Sequence, residues 1–512
     1  MKKLVYIFLI SFSINALAQE VVELPMESNK VVVKLAFKNG SVTDPVGKEG
    51  LTNLTAALLS ESGSDTYTKS EIDNLLYPMA ASYGTFTDKE MTTITFQVHK
   101  DFADQFYEII RSVLLHPSFA EQDFERVKSN TLVNITEVIK ASSDEEFSKM
   151  ALEEQLYAGT RYAHMKVGTA DGIKAITRDD VVNQYKAYFT RNNVIIGIAG
   201  NYSQDFLSKI KTDINSLPDT QPDIPVVETP AMPDGIQVEL VPKPNNLGTA
   251  IYTGYPLAIN RASEDWAAMM VVNSYLGEHR KSYSKLYQLI REQRSMNYGD
   301  YTYIEWYQSG GSNQLPLTGF PRSQNYFAIW IRPVQTAYSL KSQYSELKDI
   351  ETGQAQFALR MALNEIERVK NEGLTQEEFE LTRQFLRSYT KLYIQTPDKQ
   401  LGFLLDSKFY GLNNYISELD IALSKLTLAE VNAAAAKYLQ TDNMYVTMIT
   451  DKGEAEALKN SLLTNKVSPM SYSNVVRESL PEEVFNLDEE VEGLRINIKN
   501  VKVIPPEDLF ID

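Results

Sequence analysis

Residues 173–201 read IKAITRDDVVNQYKAYFTRNNVIIGIAGN, and residues 423–451 read LSKLTLAEVNAAAAKYLQTDNMYVTMITD. Laid in one register without gaps, Thr177 falls on Thr427, Val181 on Val431, Tyr188 on Tyr438 and Asn193 on Asn443. Ile176 meets Leu426 and Asp180 meets Glu430. Each copy predicts a Thr N-cap, an acidic first turn, an amphipathic helix, an Asn turn and an apolar strand. A second pair agrees: FAEQDFE at 119–125 resembles LTQEEFE at 374–380, and each opens a long helix. Its spacing is slightly wider, so a few residues were inserted between the two matches. The chain is a duplication of two similar domains, each roughly 220 residues long, as repeated supersecondary patterns imply.

Length and composition fit that reading. The chain has 512 residues, too many for one core, and 43% are apolar, an ordinary share. Lys2 and Lys3, an apolar run from Leu4 to Ile14, and Ala16-Leu17-Ala18 before Gln19 predict a signal peptide over 1–18. The expected location is therefore outside the cytoplasm, in the periplasm. No later stretch approaches the length of a membrane span. There is no cysteine, which excludes a lipoprotein-type anchor and disulfides, so stability must come from packing. The formal charge of −17 becomes −19 once Lys2 and Lys3 leave, which disfavours nucleic acid and anionic membranes as partners.

Five prolines, Pro218, Pro222, Pro225, Pro230 and Pro233, predict an extended linker over 218–235. That leaves an N-terminal domain over 19–217, a C-terminal domain over 236–465 and a tail over 466–512 that packs back on the body. Strands are predicted at 30–38, 91–99, 193–200, 236–242, 248–255, 299–306, 325–333 and 444–451. Helices are predicted at 49–62, 101–114, 120–139, 263–276, 283–294, 353–371 and 375–393. The fold class is α+β: two tandem domains, each a mainly antiparallel sheet with helices on one face, together forming half of a clamshell.

Here the residues carry a family resemblance. The block LYAGTRYAHMKVGT (156–169), running on into the first repeat copy, resembles the stretch closing the first domain of insulinase/pitrilysin metallopeptidases, family M16. In the second half, LYQLIREQRSMNY (286–298) resembles that family's L-x-x-x-L-R-x-x-x-x-x-x-Y signature. The family's zinc motif, H-x-x-E-H, lies on the first long helix after a Gly. Two His four apart on one helical face hold the metal, and the Glu between them acts as general base. The corresponding segment here is GLTNLTAALL (50–59). Asn53 stands at the first His, Ala56 at the Glu and Ala57 at the second His. The family's third ligand, a Glu, falls in the region of Glu137, which alone cannot hold zinc.

Nothing else in the sequence replaces that site. The four histidines, His99, His116, His164 and His279, form no local pair, and each is expected to be a packed or surface residue. No G-x-S-x-G elbow occurs, and Gly310-Gly311 has no following Lys-Ser/Thr for a phosphate cradle. No metal or other cofactor is expected in this chain.

The resemblance does carry over Arg291 and Tyr298. In the family this pair reaches across the closed clamshell: the Tyr donates to the developing oxyanion, and the Arg holds substrate backbone or supports that Tyr. A phenol and a guanidinium both donate at neutral pH without losing a proton, which suits that role. From spacing alone, Arg291 paired with an acid on its helix and a half-buried strand Tyr298 is the plainer reading. The aromatic run GDYTYIEWY (299–307) either lines a polypeptide chamber or packs in a core. The insertion 309–322 is a long loop that covers a site, contacts a partner, or does neither. The tetra-alanine run 433–436 predicts close helix packing.

In two-subunit members of the family, one chain carries H-x-x-E-H and the other the Arg/Tyr pair. The resemblance thus implies a subunit inactive alone, completed by a homologous zinc-bearing partner that closes with it around an unfolded peptide. The alternative is a non-catalytic structural or polypeptide-binding scaffold of the same fold.

Overall fold

A computed structural model describes residues 19–307 and 318–512. Residues 1–18, where a signal peptide is predicted, and 308–317, which include most of the predicted insertion, lie outside the described residues.

The repeat is built as predicted. Thr177 and Asp180 form a capping box at the start of one helix, and Thr427 and Glu430 form the same box at the start of its twin. Asn193 and Asn443 close the following turns, Asn193 by donating to the Tyr188 carbonyl and Asn443 by accepting from the Gly235 amide. Thr375 and Glu378 cap the long helix that opens with the second matched pair.

Both halves use one sheet topology. The first half contains β1 (Glu20–Pro25), β2 (Lys30–Phe37), β3 (Ser82–Thr87), β4 (Thr92–His99) and β5 (Val194–Gly200), ordered β1-β5-β2-β4-β3. The second contains β6 (Ile236–Lys243), β7 (Gly248–Leu257), β8 (Asp300–Tyr303), β9 (Asn325–Gln335) and β10 (Tyr445–Asp451), ordered β6-β10-β7-β9-β8. β11 (Ile498–Val503) adds outside β6. In each sheet the first two strands of the shared order run parallel and the others antiparallel.

The principal helices of the first half are α1 (Leu51–Glu61), α2 (Ala103–Leu115), α3 (Glu121–Val133), α4 (Asp144–Leu156) and α5 (Arg178–Tyr188). Those of the second are α6 (Trp266–Gly277), α7 (Ala355–Glu372), α8 (Gln376–Tyr393), α9 (Pro397–Phe409) and α10 (Leu428–Tyr438). The helical layer covers one face of each sheet, enclosing two large apolar cores. Ala434 and Ala435 are buried where α10 meets α6, the close approach expected of the alanine run.

The other face of each sheet takes one helix from the opposite half. α4 lies on β7 and β10, and α9 lies on β1, β2 and β5. The tail crosses over too: Leu509 and Phe510 are buried in the first half's core, and the Phe510 carbonyl accepts from the Ala170 amide at 3.0 Å.

Some elements differ from the sequence reading. β1 and β3 were not predicted, and the predicted strand 299–306 is regular only at Asp300–Tyr303. The predicted helix 120–139 passes through a π-helical turn at Asn134–Val138. The predicted helix 283–294 is largely a π-helical turn at Tyr287–Glu292. Residues 218–233 hold neither helix nor strand, in keeping with their prolines. Among the described residues no helix is long and apolar enough to cross a membrane.

Candidate functional site

The helix that would carry the metal is held with care even though its ligands are gone. Gly50, at the N-cap of α1, has φ 101°, and a Cβ there would lie 2.6 Å from the Val167 carbonyl oxygen. Gly168 packs back against it at φ 94°, with room for a Cβ only 2.2 Å from the Glu49 carbonyl. Only glycine meets both the left-handed backbone and the close approach. The Asp44 carboxylate accepts from the Gly50 and Thr52 amides at 2.7 Å each, and His164 Nε2 lies 3.1 Å from it. The block 156–169 thus braces the start of α1.

The metal positions themselves offer little chemistry. Ala56 is buried and its carbonyl accepts from Thr85 Oγ1 at 2.8 Å. Asn53 and Ala57 are half-buried. Glu137 is exposed, on the π-helical turn that continues α3. Two methyl groups and one amide are not a donor set for zinc, which takes imidazole, thiolate or carboxylate. Among the described residues no group of three or more His, Cys, Asp or Glu is arranged to hold a metal ion. Three histidines have local work instead: His164 braces α1, His99 accepts from the Asp101 amide, and His279 Nδ1 lies 2.8 Å from the Tyr303 hydroxyl.

Arg291 is half-buried and Tyr298 exposed. Arg291 sits on its π-helical turn, its guanidinium 6.0 Å from the centre of the Tyr287 ring. Turns of this kind insert a residue and re-aim a side chain, and they recur at functional sites. Tyr298 is 77% exposed, two residues before β8. Its ring centre lies 5.9 Å from the Arg332 guanidinium, which is paired with Glu145 of α4 at 2.7 Å. Among the described residues its hydroxyl has no hydrogen-bond partner, Arg291 has no ion pair, and no hydrogen bond or ring contact joins the two. The plainer reading from spacing, a helix ion pair and a half-buried strand tyrosine, does not describe either residue.

The aromatic run is core. Tyr301, Tyr303 and Tyr307 are buried with Tyr252, Tyr326 and Trp330 against α4. Burial holds the Tyr303 and Tyr326 hydroxyls well above the usual phenol range, so neither ionises in the working pH range. Beyond the undescribed part of the insertion, Phe320 packs 4.0 Å from the Phe86 ring centre and 4.6 Å from that of Trp306.

A charged clasp lies beside it. Buried Arg322 donates to both oxygens of Asp88, at 2.7 and 2.9 Å, and to Glu153 of α4 at 3.1 Å. Tyr326 also donates to Glu153, at 2.8 Å. Burial is the largest influence on both carboxyls and favours protonation, but Arg322 together with the nearby lysines more than offsets it and holds both below their ordinary values. The clasp joins residues far apart in the chain, so no local motif announces it.

Comparison with known proteins agrees with this geometry. Residues 21–169 match the profile of insulinase (peptidase family M16), and residues 175–386 match that of the peptidase M16 inactive domain. The non-peptidase homolog YmxG of Helicobacter pylori is 23% identical over 430 residues, 82% of this chain and 89% of that one. The crystal structure of a peptidase M16 inactive domain from Pseudomonas fluorescens superposes with a TM-score of 0.70 at 22% identity, covering 84% of this chain and 95% of that one. A chain of Complex III2 from Candida albicans gives a TM-score of 0.64 at 12% identity, covering 84% and 93%. With two M16 profiles spanning well over half of its residues and no metal-binding side chain at positions 53, 56 and 57, the chain belongs to the insulinase (M16) family as a catalytically incomplete, non-zinc-binding homologue.

Proposed function

We propose that this chain is the metal-free subunit of an exported, periplasmic two-subunit peptidase. A homologous H-x-x-E-H subunit holds the zinc, which when bound supplies the activated water. Tyr298 of this chain donates its phenolic O–H to the oxyanion that forms on the scissile carbonyl, and Arg291 donates to the substrate backbone. The substrate is an unfolded peptide enclosed between the subunits.

The observation that carries this reading is the state of Tyr298: a phenol 77% exposed, its hydroxyl unpartnered among the described residues, on a chain that braces α1 without its ligands. Exposed aromatics with free donors are suited to meeting a partner or substrate. The test mixes the Tyr298→Phe chain with its zinc-bearing partner and follows turnover of an unstructured peptide alongside complex formation. Turnover should fall by roughly 10²–10³-fold, the effect of losing one oxyanion donor. Pairing and thermal stability should stay within about 0.5 kcal/mol of wild type, as for other exposed substitutions. Undiminished turnover would sink the reading.

The fold likeness to a chain of Complex III2 favours a second reading, a non-catalytic scaffold. Full turnover in the Tyr298→Phe complex would leave it in front, and a pairing defect without a catalytic one would make Tyr298 an interface residue.

A further inference from the structure

A cavity of about 230 Å³ lies between the two halves, apart from Arg291 and Tyr298. Four cations line it: Lys89, Lys149 and Lys166 from the first half and Arg322 from the second. Three of them are spoken for. Arg322 holds Asp88 and Glu153, Lys149 pairs with Glu146 at 3.1 Å and donates to the Tyr307 carbonyl, and Lys89 donates to the Tyr162 and His164 carbonyls at 2.8 and 2.5 Å.

Lys166 is the exception. Its ammonium stands over three rings, 4.0 Å from the centre of Phe86 and 5.2 Å from those of Trp306 and Phe320. Among the described residues it has no hydrogen bond and no ion pair. Ring faces stabilise a cation but accept no strong hydrogen bond, so its donors remain unused. Burial pulls its pKa down to about 8, with Asp88 acting against that, so it is still mostly charged at neutral pH. Glu146 is paired with Lys149, and Asp88 and Glu153 with Arg322, so no carboxylate of the wall is paired with Lys166. Apart from Asn134, the rest of the wall is apolar, formed by Ile139, Met150, Met165, Val167 and Trp306. A lone cation with free donors beside an apolar wall selects an anion with an apolar body.

We propose that this cavity binds an organic monocarboxylate, with the carboxylate on Lys166 and the hydrocarbon part against Met165 and Trp306. Two sources offer that chemistry: the free C-terminus of a peptide ending in an aliphatic residue, and a small free acid. The site uses neither Arg291 nor Tyr298, and its test needs no partner subunit.

The experiment is calorimetric titration of the whole chain with N-acetyl-leucine, its amide, and a hexapeptide ending in Leu as free acid and as amide. At least one acid should bind at least ten-fold more tightly than its amide, as one charge-assisted hydrogen bond accounts for. Lys166→Met should remove that preference, and Lys166→Arg should keep it within a few-fold. Unchanged melting of Lys166→Met would separate lost recognition from lost folding. Preference for the peptide acid alone assigns the site to a chain terminus, and equal binding of both acids assigns it to free acids. Acid and amide binding alike, no binding of either acid at millimolar concentration, or an unchanged preference in Lys166→Met would each overturn the proposal.

Discussion

The two halves exchange helices, but they hold the borrowed one by different means. α4 packs Leu152 and Leu156 on the aromatic face of the second sheet and adds a row of charges and hydrogen bonds: Asp144 to Lys243 at 2.5 Å, Glu145 to Arg332 at 2.7 Å, Glu153 to Arg322 at 3.1 Å, and Gln155 to Thr447 at 2.7 Å. α9 is seated on the first sheet mainly by aliphatic packing, with Leu401 and Leu405 against Val22, Val32, Ala36 and Ile195. Its two ion pairs to that sheet among the described residues, Asp398 to Lys34 at 3.0 Å and Lys408 to Glu20 at 3.6 Å, lie at the partly exposed margin. Topology survived the duplication and contact chemistry did not. Strand order answers to the backbone, whereas the seat of a helix can be rebuilt with any set of side chains that satisfies burial.

That contrast can be broken most forcefully at the polar seat. Arg322→Met should destabilise the chain by about 3–5 kcal/mol in denaturant unfolding, because Asp88 and Glu153 would be left buried without a counter-charge. Adding Asp88→Asn and Glu153→Gln should recover part of the loss. A cost near zero would mean that the clasp is solvated. At the aliphatic seat Leu401→Ala should cost about 3 kcal/mol, the sum of lost burial and a cavity, with no pH dependence of its own. A loss below about 1 kcal/mol would show that α9 is dispensable to the first sheet.

The smallest effect should come from pH. Burial raises Glu154, on α4, and Glu239, on β6, to about 7 each. Asp512 adds to the rise at Glu154, while Lys140 and Lys89 oppose it. A folded-state pKa above the unfolded one contributes stability that is complete below the unfolded value, near 4.5, and is lost as pH climbs through the folded value. Wild-type melting should therefore fall relative to Glu154→Gln between pH 5 and pH 8, by an amount on the order of 1 kcal/mol. Parallel melting curves for the two proteins would remove Glu154 from the polar seat's pH response.

Much of the frame was legible because it is periodic. The repeated cap, helix, turn and strand located a strand of each sheet, and the prolines located a stretch without helix or strand. β3 escaped because its residues Ser82 to Thr87 include Gly84 and lie half-buried at an edge, with no apolar alternation to betray them. The π-helical turns escaped because one inserted residue barely disturbs a helical pattern. α4 and α9 escaped for a deeper reason: each presents its buried side to the other half, and that demand is not written in local periodicity. At the site, the loss of zinc ligands could be read from three positions. The cavity around Lys166 could not, since residues 89, 149, 166, 306 and 322 come together only in the folded chain.

The crossing tail has a consequence for how the molecule is made. Phe510 fills the first half's core beside Phe147, with ring centres 5.7 Å apart, and its carbonyl ties down Ala170. The part of the chain synthesised first therefore cannot complete its interior until the part synthesised last arrives. During synthesis the early half waits with apolar surface uncovered, open to chaperones and to any translocation machinery that handles unfolded chains. Closure of the first half's interior is then a late event, made by a segment far along the chain.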